Sequence, residues 1–135
     1  MARRKSPTFT EVELEFMRII WEHEEVSTED IRYILQQRGR ELSDGSIRKV
    51  LSILVRKNHL TRRRDGRAYL YKAGVPQQQA RVSMVQDLLK RAFGGSVALM
   101  ALALLNTRDV QGGDLDEIKR LVAERESGLR EAFSR

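Results

Sequence analysis

At 135 residues the chain suits one domain, or a small domain carrying an oligomerisation arm, and its 41% apolar content excludes wholesale disorder. A net charge of +6 invites a polyanionic partner, and the lack of cysteine excludes a disulfide framework, a thiolate metal site and a cysteine nucleophile. No apolar core follows the basic start Met1-Ala2-Arg3-Arg4-Lys5, and the longest apolar run, Val97 to Leu105, falls short of the roughly 17–25 residues of a membrane span, so the chain reads as cytoplasmic with no direct membrane insertion.

Thr10-Glu11-Val12-Glu13 has the form of a capping box and predicts a first helix to about His23, with Leu14, Met17, Ile20 and Trp21 at helical spacing. Ser27 or Thr28 caps a second helix whose buried stripe is Ile31, Ile34 and Leu35, ended by Gly39. Ser43 or Asp44 caps a third. Its inward face is Ile47, Val50, Leu51 and Leu54, and it stops near Asn58, a residue that tolerates the left-handed conformation. Two strand-like runs, Leu60 to Arg64 and Arg67 to Lys72, flank Asp65-Gly66, a strong hairpin signal. Pro76 opens a fourth helix with Val82, Val85, Leu88, Leu89 and Phe93 on one face. Gly94-Gly95 breaks it, and Ser96 caps a fifth from Val97 to about Leu105. Gly112-Gly113 breaks the chain again, and Asp114 caps a last helix striped by Leu115, Ile118, Leu121, Val122 and Leu129.

The predicted fold class is therefore mainly α with a small β-hairpin: an N-terminal winged helix-turn-helix plus a C-terminal helical dimerisation arm. The expected division is a basic arm over 1–8, a DNA-binding domain over 9–75 and a dimerisation domain over 76–135. Three short apolar helices bury too little surface alone, so the arm is expected to pack on a second copy through Leu89, Phe93, Leu99, Leu102, Leu105, Ile118, Leu121 and Val122.

The positive charge is concentrated. Between Ser43 and Lys72 there are nine Lys/Arg against Asp44 and Asp65, whereas Pro76 to Arg135 has nine bases against eight acids. On the outward face of the third helix, Ser46, Arg48, Lys49 and Ser52 suit a reader of major-groove base edges, and Arg56 and Lys57, later in the helix, suit phosphate. Arg62, Arg63, Arg64 and Arg67 gather at the hairpin, where alternation sends Arg62 and Arg64 to one face and Arg63 to the other. Backbone or minor-groove contacts follow. Phe9, Phe16, Trp21, Tyr69 and Tyr71 read as packing residues rather than base-stacking platforms. His23 and His59 read as surface or helix-end residues. No Ser/His/Asp set, Gly-rich phosphate loop or paired-His zinc motif occurs, so no enzyme, metal or cofactor is expected.

These residues resemble the penicillinase-repressor family of BlaI/MecI/CopY-type regulators. The resemblance rests on Thr10-x-x-Glu13-Leu14-x-x-Met17-x-x-x-Trp21, on Val50-Leu51-x-x-Leu54-Val55-x-Lys57, on Asp65-Gly66-Arg67-Ala68-Tyr69-x-Tyr71, and on Phe93-Gly94-Gly95-Ser96 with Leu115-Asp116-Glu117-Ile118-x-x-Leu121. It implies a homodimeric repressor on a palindromic double-stranded DNA operator, inactivated in many members by a membrane sensor-protease that cuts the arm. The bond cut in the β-lactam-responsive members aligns with Ala103-Leu104, which lacks their Asn-Phe pair. Asp44-Gly45-Ser46 stands where members commonly carry Tyr-Thr-Thr, so their operator sequence is not carried over. Two other readings stay open: a winged-helix regulator switched by a small ligand in the arm, and a protein-interaction adaptor that does not read DNA.

Overall fold

The structure, a computed structural model, describes residues 9–133. The basic arm over 1–8 lies outside them. In chain order the elements are α1 (Glu11–Glu22), β1 (Val26–Ser27), α2 (Thr28–Gln37), α3 (Asp44–Arg56), β2 (Leu60–Asp65), β3 (Ala68–Ala73), α4 (Gln77–Phe93), α5 (Val97–Leu105) and α6 (Gly112–Phe133). Internal contacts divide the chain into two compact units that meet within α4, between Leu88 and Leu89.

In the first unit, local chemistry sets the helix starts. The Glu13 amide donates to Thr10 Oγ1 at 3.1 Å and the Thr10 amide to Glu13 Oε1 at 2.9 Å, a complete capping box. Ser27 and Asp30 repeat the arrangement at α2, where Asp30 sits three residues past the cap. Ser43 caps α3 by accepting from the Ser46 amide at 3.1 Å. Asn58, with φ of 65°, turns the chain out of α3 as its type suggests.

The core joins Phe16, Met17, Ile19 and Ile20 of α1 to Val26, to Ile31 and Leu35 of α2, to Ile47, Leu51 and Leu54 of α3, and to Leu60 and Tyr71 of the sheet. The α2 and α3 stripes are those read from the sequence, with Ile34 and Val50 at their margins. On α1 the buried face is broader: Phe16 and Ile19 join it, while Leu14 and Trp21 are only half-buried. The reason is that α1 packs on α2, α3 and β3 together. Trp21 Nε1 donates to the Val75 carbonyl at 2.9 Å, tying α1 to the segment after β3, and Phe9 meets its ring edge-on.

The hairpin is part of a three-stranded antiparallel sheet ordered β1-β3-β2. Strand β1, absent from the sequence reading, is two residues long, too short for any periodicity to show. It exists because Val26 and Ser27 pair with Tyr71 and Leu70. The turn also moves by one residue. Asp65 pairs with Ala68, so the two-residue loop is Gly66-Arg67 rather than Asp65-Gly66. Of these two, only Gly66 has positive φ, at 63°. A hairpin turn with its positive φ at the first central residue takes glycine there, and that requirement fixes the register.

Glu13 also faces Lys57, whose Nζ donates to its two carboxylate oxygens at 3.2 and 2.8 Å and so pins the end of α3 to the start of α1. Burial opposes ionisation of Glu13. The Lys57 hydrogen bond, the Thr10 amide and the Lys57 charge outweigh it and hold the carboxyl below the usual glutamate range. A folded-state value below the unfolded one stabilises the fold above the unfolded pKa, and that stability is lost as pH falls through the folded value. Lys57→Met should therefore cost about 1–2 kcal/mol near neutrality, and its disadvantage should narrow as pH falls below about 4.3. Urea unfolding of both proteins across this range checks it; an unchanged difference would detach Lys57 from Glu13 ionisation.

The second unit holds the end of α4 with α5 and α6. Gly94 and Gly95, with φ of 56° and 86°, separate α4 from α5, and Ser96 caps α5 by accepting from the Leu99 amide at 3.1 Å. Helix α6 begins earlier than read. Asp114 is not its cap but lies in its first turn, reaching back to the Gln111 amide at 3.0 Å, so Gly112 and Gly113 are helical rather than a break. Neither α5 nor α6 buries a residue. Leu99, Leu102, Leu105, Leu121 and Val122 are about half exposed, and Leu89, Phe93 and Ile118 are intermediate. No single described helix is long and apolar enough to cross a membrane.

Candidate nucleic-acid interface

Burial of Ile47, Leu51 and Leu54 turns the opposite side of α3 to solvent. At a spacing of four residues, Asp44, Arg48, Ser52 and Arg56 form one ridge, and Gly45 and Lys49 lie beside it, all exposed. Ser46 is exposed as well, but its hydroxyl accepts from Ser43 Oγ at 3.0 Å, inside the cap.

The wing's register sorts its arginines. Arg62 stands opposite Tyr71 and Arg64 opposite Tyr69. Alternation places these four with Leu60 on one face, whose inner part, Leu60 and Tyr71, is buried in the core. At its outer part the Arg62 guanidinium lies 4.5 Å and the Arg64 guanidinium 5.7 Å from the centre of the Tyr69 ring. Stacking on an exposed ring orders long side chains while leaving their donors open. Arg63 points the other way, and its Nε donates to Glu25 Oε2 at 2.8 Å, which fastens β2 to the loop before β1. Arg67 sits in the turn itself.

These elements enclose an open groove of about 560 Å³. Arg48 and Ser52 line it from α3, Arg62, Arg67, Tyr69 and Tyr71 from the wing, and Ser27, Thr28 and Glu29 from the start of α2. Three arginines face it against the single carboxylate of Glu29. Carboxylates beyond the groove are held by ion pairs: Asp44 by Arg32 at 2.5 Å, Glu22 by Arg38 at 3.3 Å and Glu15 by Arg40 at 3.0 Å. Such exposed pairs contribute little stability.

The groove thus gathers Arg48, Ser52, Arg62 and Arg67. Lys49, Arg56 and Arg64 lie exposed on the same two elements, α3 and the wing, and Arg63 is turned away. Lys57, read as a phosphate contact, caps the C-terminal end of α3 and is paired with Glu13 of α1, its side chain 34% exposed. His23 sits at the end of α1, with Nδ1 donating to the Ile19 carbonyl at 2.8 Å. His59 follows α3 and packs on Phe9 with ring centres 4.3 Å apart. No group of three or more His, Asp or Glu side chains placed to hold a metal ion occurs among the described residues. Sequence reading missed two groove features, the ordering of Arg62 and Arg64 by Tyr69 and the part taken by the start of α2. The first was within reach, since strand alternation places Tyr69 beside both arginines once the turn is centred on Gly66-Arg67.

Comparison with known proteins agrees with this architecture. The penicillinase repressor family model matches residues 9–124. The penicillinase repressor of Bacillus licheniformis is 23% identical over 128 residues, covering 95% of this chain and 99% of that protein. The solution structure of the DNA binding domain of the repressor BlaI is 26% identical with a TM-score of 0.50, covering 57% of this chain and 93% of that one. A structure described as the complex structure of hsRosR-S4, 15% identical, shares the fold with a TM-score of 0.54 over 93% of this chain and 96% of that one. From a family match that runs from the N-terminal cap of α1 into α6, the chain belongs to the penicillinase repressor family, whose members are DNA-binding transcriptional repressors and not enzymes.

Proposed function

We propose that the chain is a homodimeric repressor that grips a palindromic operator through the groove between α3 and the wing. The observation that carries this reading is the convergence of Arg48 and Ser52 with Arg62 and Arg67 around one groove, beside a wing face ordered by Tyr69. In the assignment this favours, Arg48, Lys49 and Ser52 meet base edges with Ser46 at their flank, while Arg56, Arg62, Arg64 and Arg67 meet phosphates or the minor groove. Residues 9–75 carry recognition and 76–135 carry dimerisation. The exposed apolar residues of α5 and α6 support a second copy of this chain as the arm's partner. A cytoplasmic location follows from the DNA partner. Relief by a membrane sensor-protease belongs to the same reading. The Ala103-Leu104 bond lies in the last turn of α5 with Leu104 53% exposed, and cutting there detaches α6.

The test is a titration of labelled duplex from the gene's upstream region at two salt concentrations, with random duplex as competitor. Binding that survives the competitor and weakens with salt is expected, with a slope of about 0.9 per phosphate contacted. Arg62→Ala should reduce that slope by about one unit, whereas Arg63→Ala, already held by Glu25, should change it little. Equal effects would make the Arg63–Glu25 pair irrelevant to DNA. Absence of binding at low salt would favour a protein-interaction role.

A further inference from the structure

The outer surface of α3 holds one acid, Asp44, in its first turn. An acid beside DNA phosphates is unfavourable unless it is both neutralised and used. Asp44 is neutralised: its Oδ1 accepts from Arg32 Nη1 at 2.5 Å, a contact from α2 across to α3. Its other oxygen, Oδ2, takes no hydrogen bond among the described residues, and the side chain is 55% exposed. The next residue is Gly45, and a Cβ there would meet only Ser43 Oγ, at 4.0 Å. The start of α3 is therefore bare, and base edges can approach it closely. Asp44 also heads the ridge that runs through Arg48 and Ser52 into the groove.

Resting on the DNA-binding reading above, we propose that Asp44 is a specificity-determining residue of the operator interface. Oδ2 accepts from the exocyclic amine of a cytosine in the major groove while Arg32 holds Oδ1. In helix-turn-helix docking the N-terminal residues of the recognition helix contact base edges, and carboxylates pair with cytosine N4. Arg32 acts as a positioning residue. It aims the carboxylate and cancels the charge that would otherwise repel phosphate. A negative group spared repulsion in this way excludes guanine and thymine, whose major-groove edges present acceptors.

The experiment is selection from a randomised duplex pool with the full-length chain, followed by titration of the selected site and of every single-base change within it. Wild type, Asp44→Ala, Asp44→Asn and Arg32→Ala are compared, with far-ultraviolet circular dichroism and thermal melts as a check on folding. Wild type is expected to require cytosine at one position of each half-site, with about a tenfold loss on replacing it. Asp44→Ala should lose that preference while binding random duplex at least as tightly as wild type. Asp44→Asn should shift the preference toward adenine, because an amide pairs with its N6 and N7. Arg32→Ala should weaken the cytosine preference without moving it. If Asp44→Ala selects the same site with the same preferences, or weakens all sequences equally, Asp44 is no base reader and the inference falls alone. If wild type retains no duplex, the DNA-binding reading falls and the inference with it. A misfolded Asp44→Ala leaves the decision to Asp44→Asn, whose unchanged preference for cytosine over adenine would likewise overturn it.

Discussion

Leu121→Asp is expected to yield a monomer and to weaken binding to a palindromic duplex by about two to four orders of magnitude, while a single half-site is bound as before. The expectation starts from a mismatch between composition and burial. Helices α5 and α6 carry Leu99, Leu102, Leu105, Leu121 and Val122, and none of these is buried within the chain. Large apolar surface of this kind marks an interaction site in a protein that stays dispersed. A symmetric pair of copies buries the same patch on both, so one substitution is felt twice. An aspartate at that interface loses its hydration without gaining a partner. The effect on DNA follows from linkage: two tethered recognition units make the second half-site contact intramolecular, and separating them removes that gain. Light scattering reads the mass and titration of full and half operators reads the affinities. A dimeric mass with full affinity would place the interface elsewhere.

Phe16→Ala is expected to cost the first unit about 3–5 kcal/mol, the usual range for deleting a buried aromatic ring, and to lower its melting temperature by at least about 12 °C. Phe16 is 0% exposed and belongs to a core shared by three helices and the sheet. The same loss at Phe133, 85% exposed, should fall within the small range of surface changes. Urea denaturation of both variants supplies the comparison. A small effect at Phe16 would mean that α1 repacks, and DNA binding retained at the growth temperature would show a stability reserve larger than domains of this size usually have.

How much was legible in the sequence follows the range of the interactions. Helix starts at Thr10 and Ser96 were readable, and those at Ser27 or Thr28 and at Ser43 or Asp44 to within one residue, because a cap and its partner lie three residues apart; the structure selects Ser27 and Ser43. The inward stripes of α2 and α3 were readable because burial of one face leaves a period in the sequence. The opposite faces of Arg62 and Arg63 were readable from strand alternation. The start of α6 was misread although its signal was local, since Asp114 serves equally well as a cap or as a residue reaching back from the first turn.

What required the tertiary structure joins residues far apart in the chain. The strand at Val26–Ser27 exists only as a partner of β3, more than forty residues on. Lys57 is paired with Glu13, Arg63 with Glu25 and Asp44 with Arg32. A basic residue looks the same in a sequence whether its charge faces phosphate or a carboxylate of its own chain. The order of the helices, the presence of the hairpin and the location of the positive charge were legible in the sequence, since each depends mainly on neighbours close along the chain. The fold decided which of those charges have a partner within the chain, because an ion pair depends on distance in space, and that distance is set only when α1, α2, α3 and the sheet close around one core.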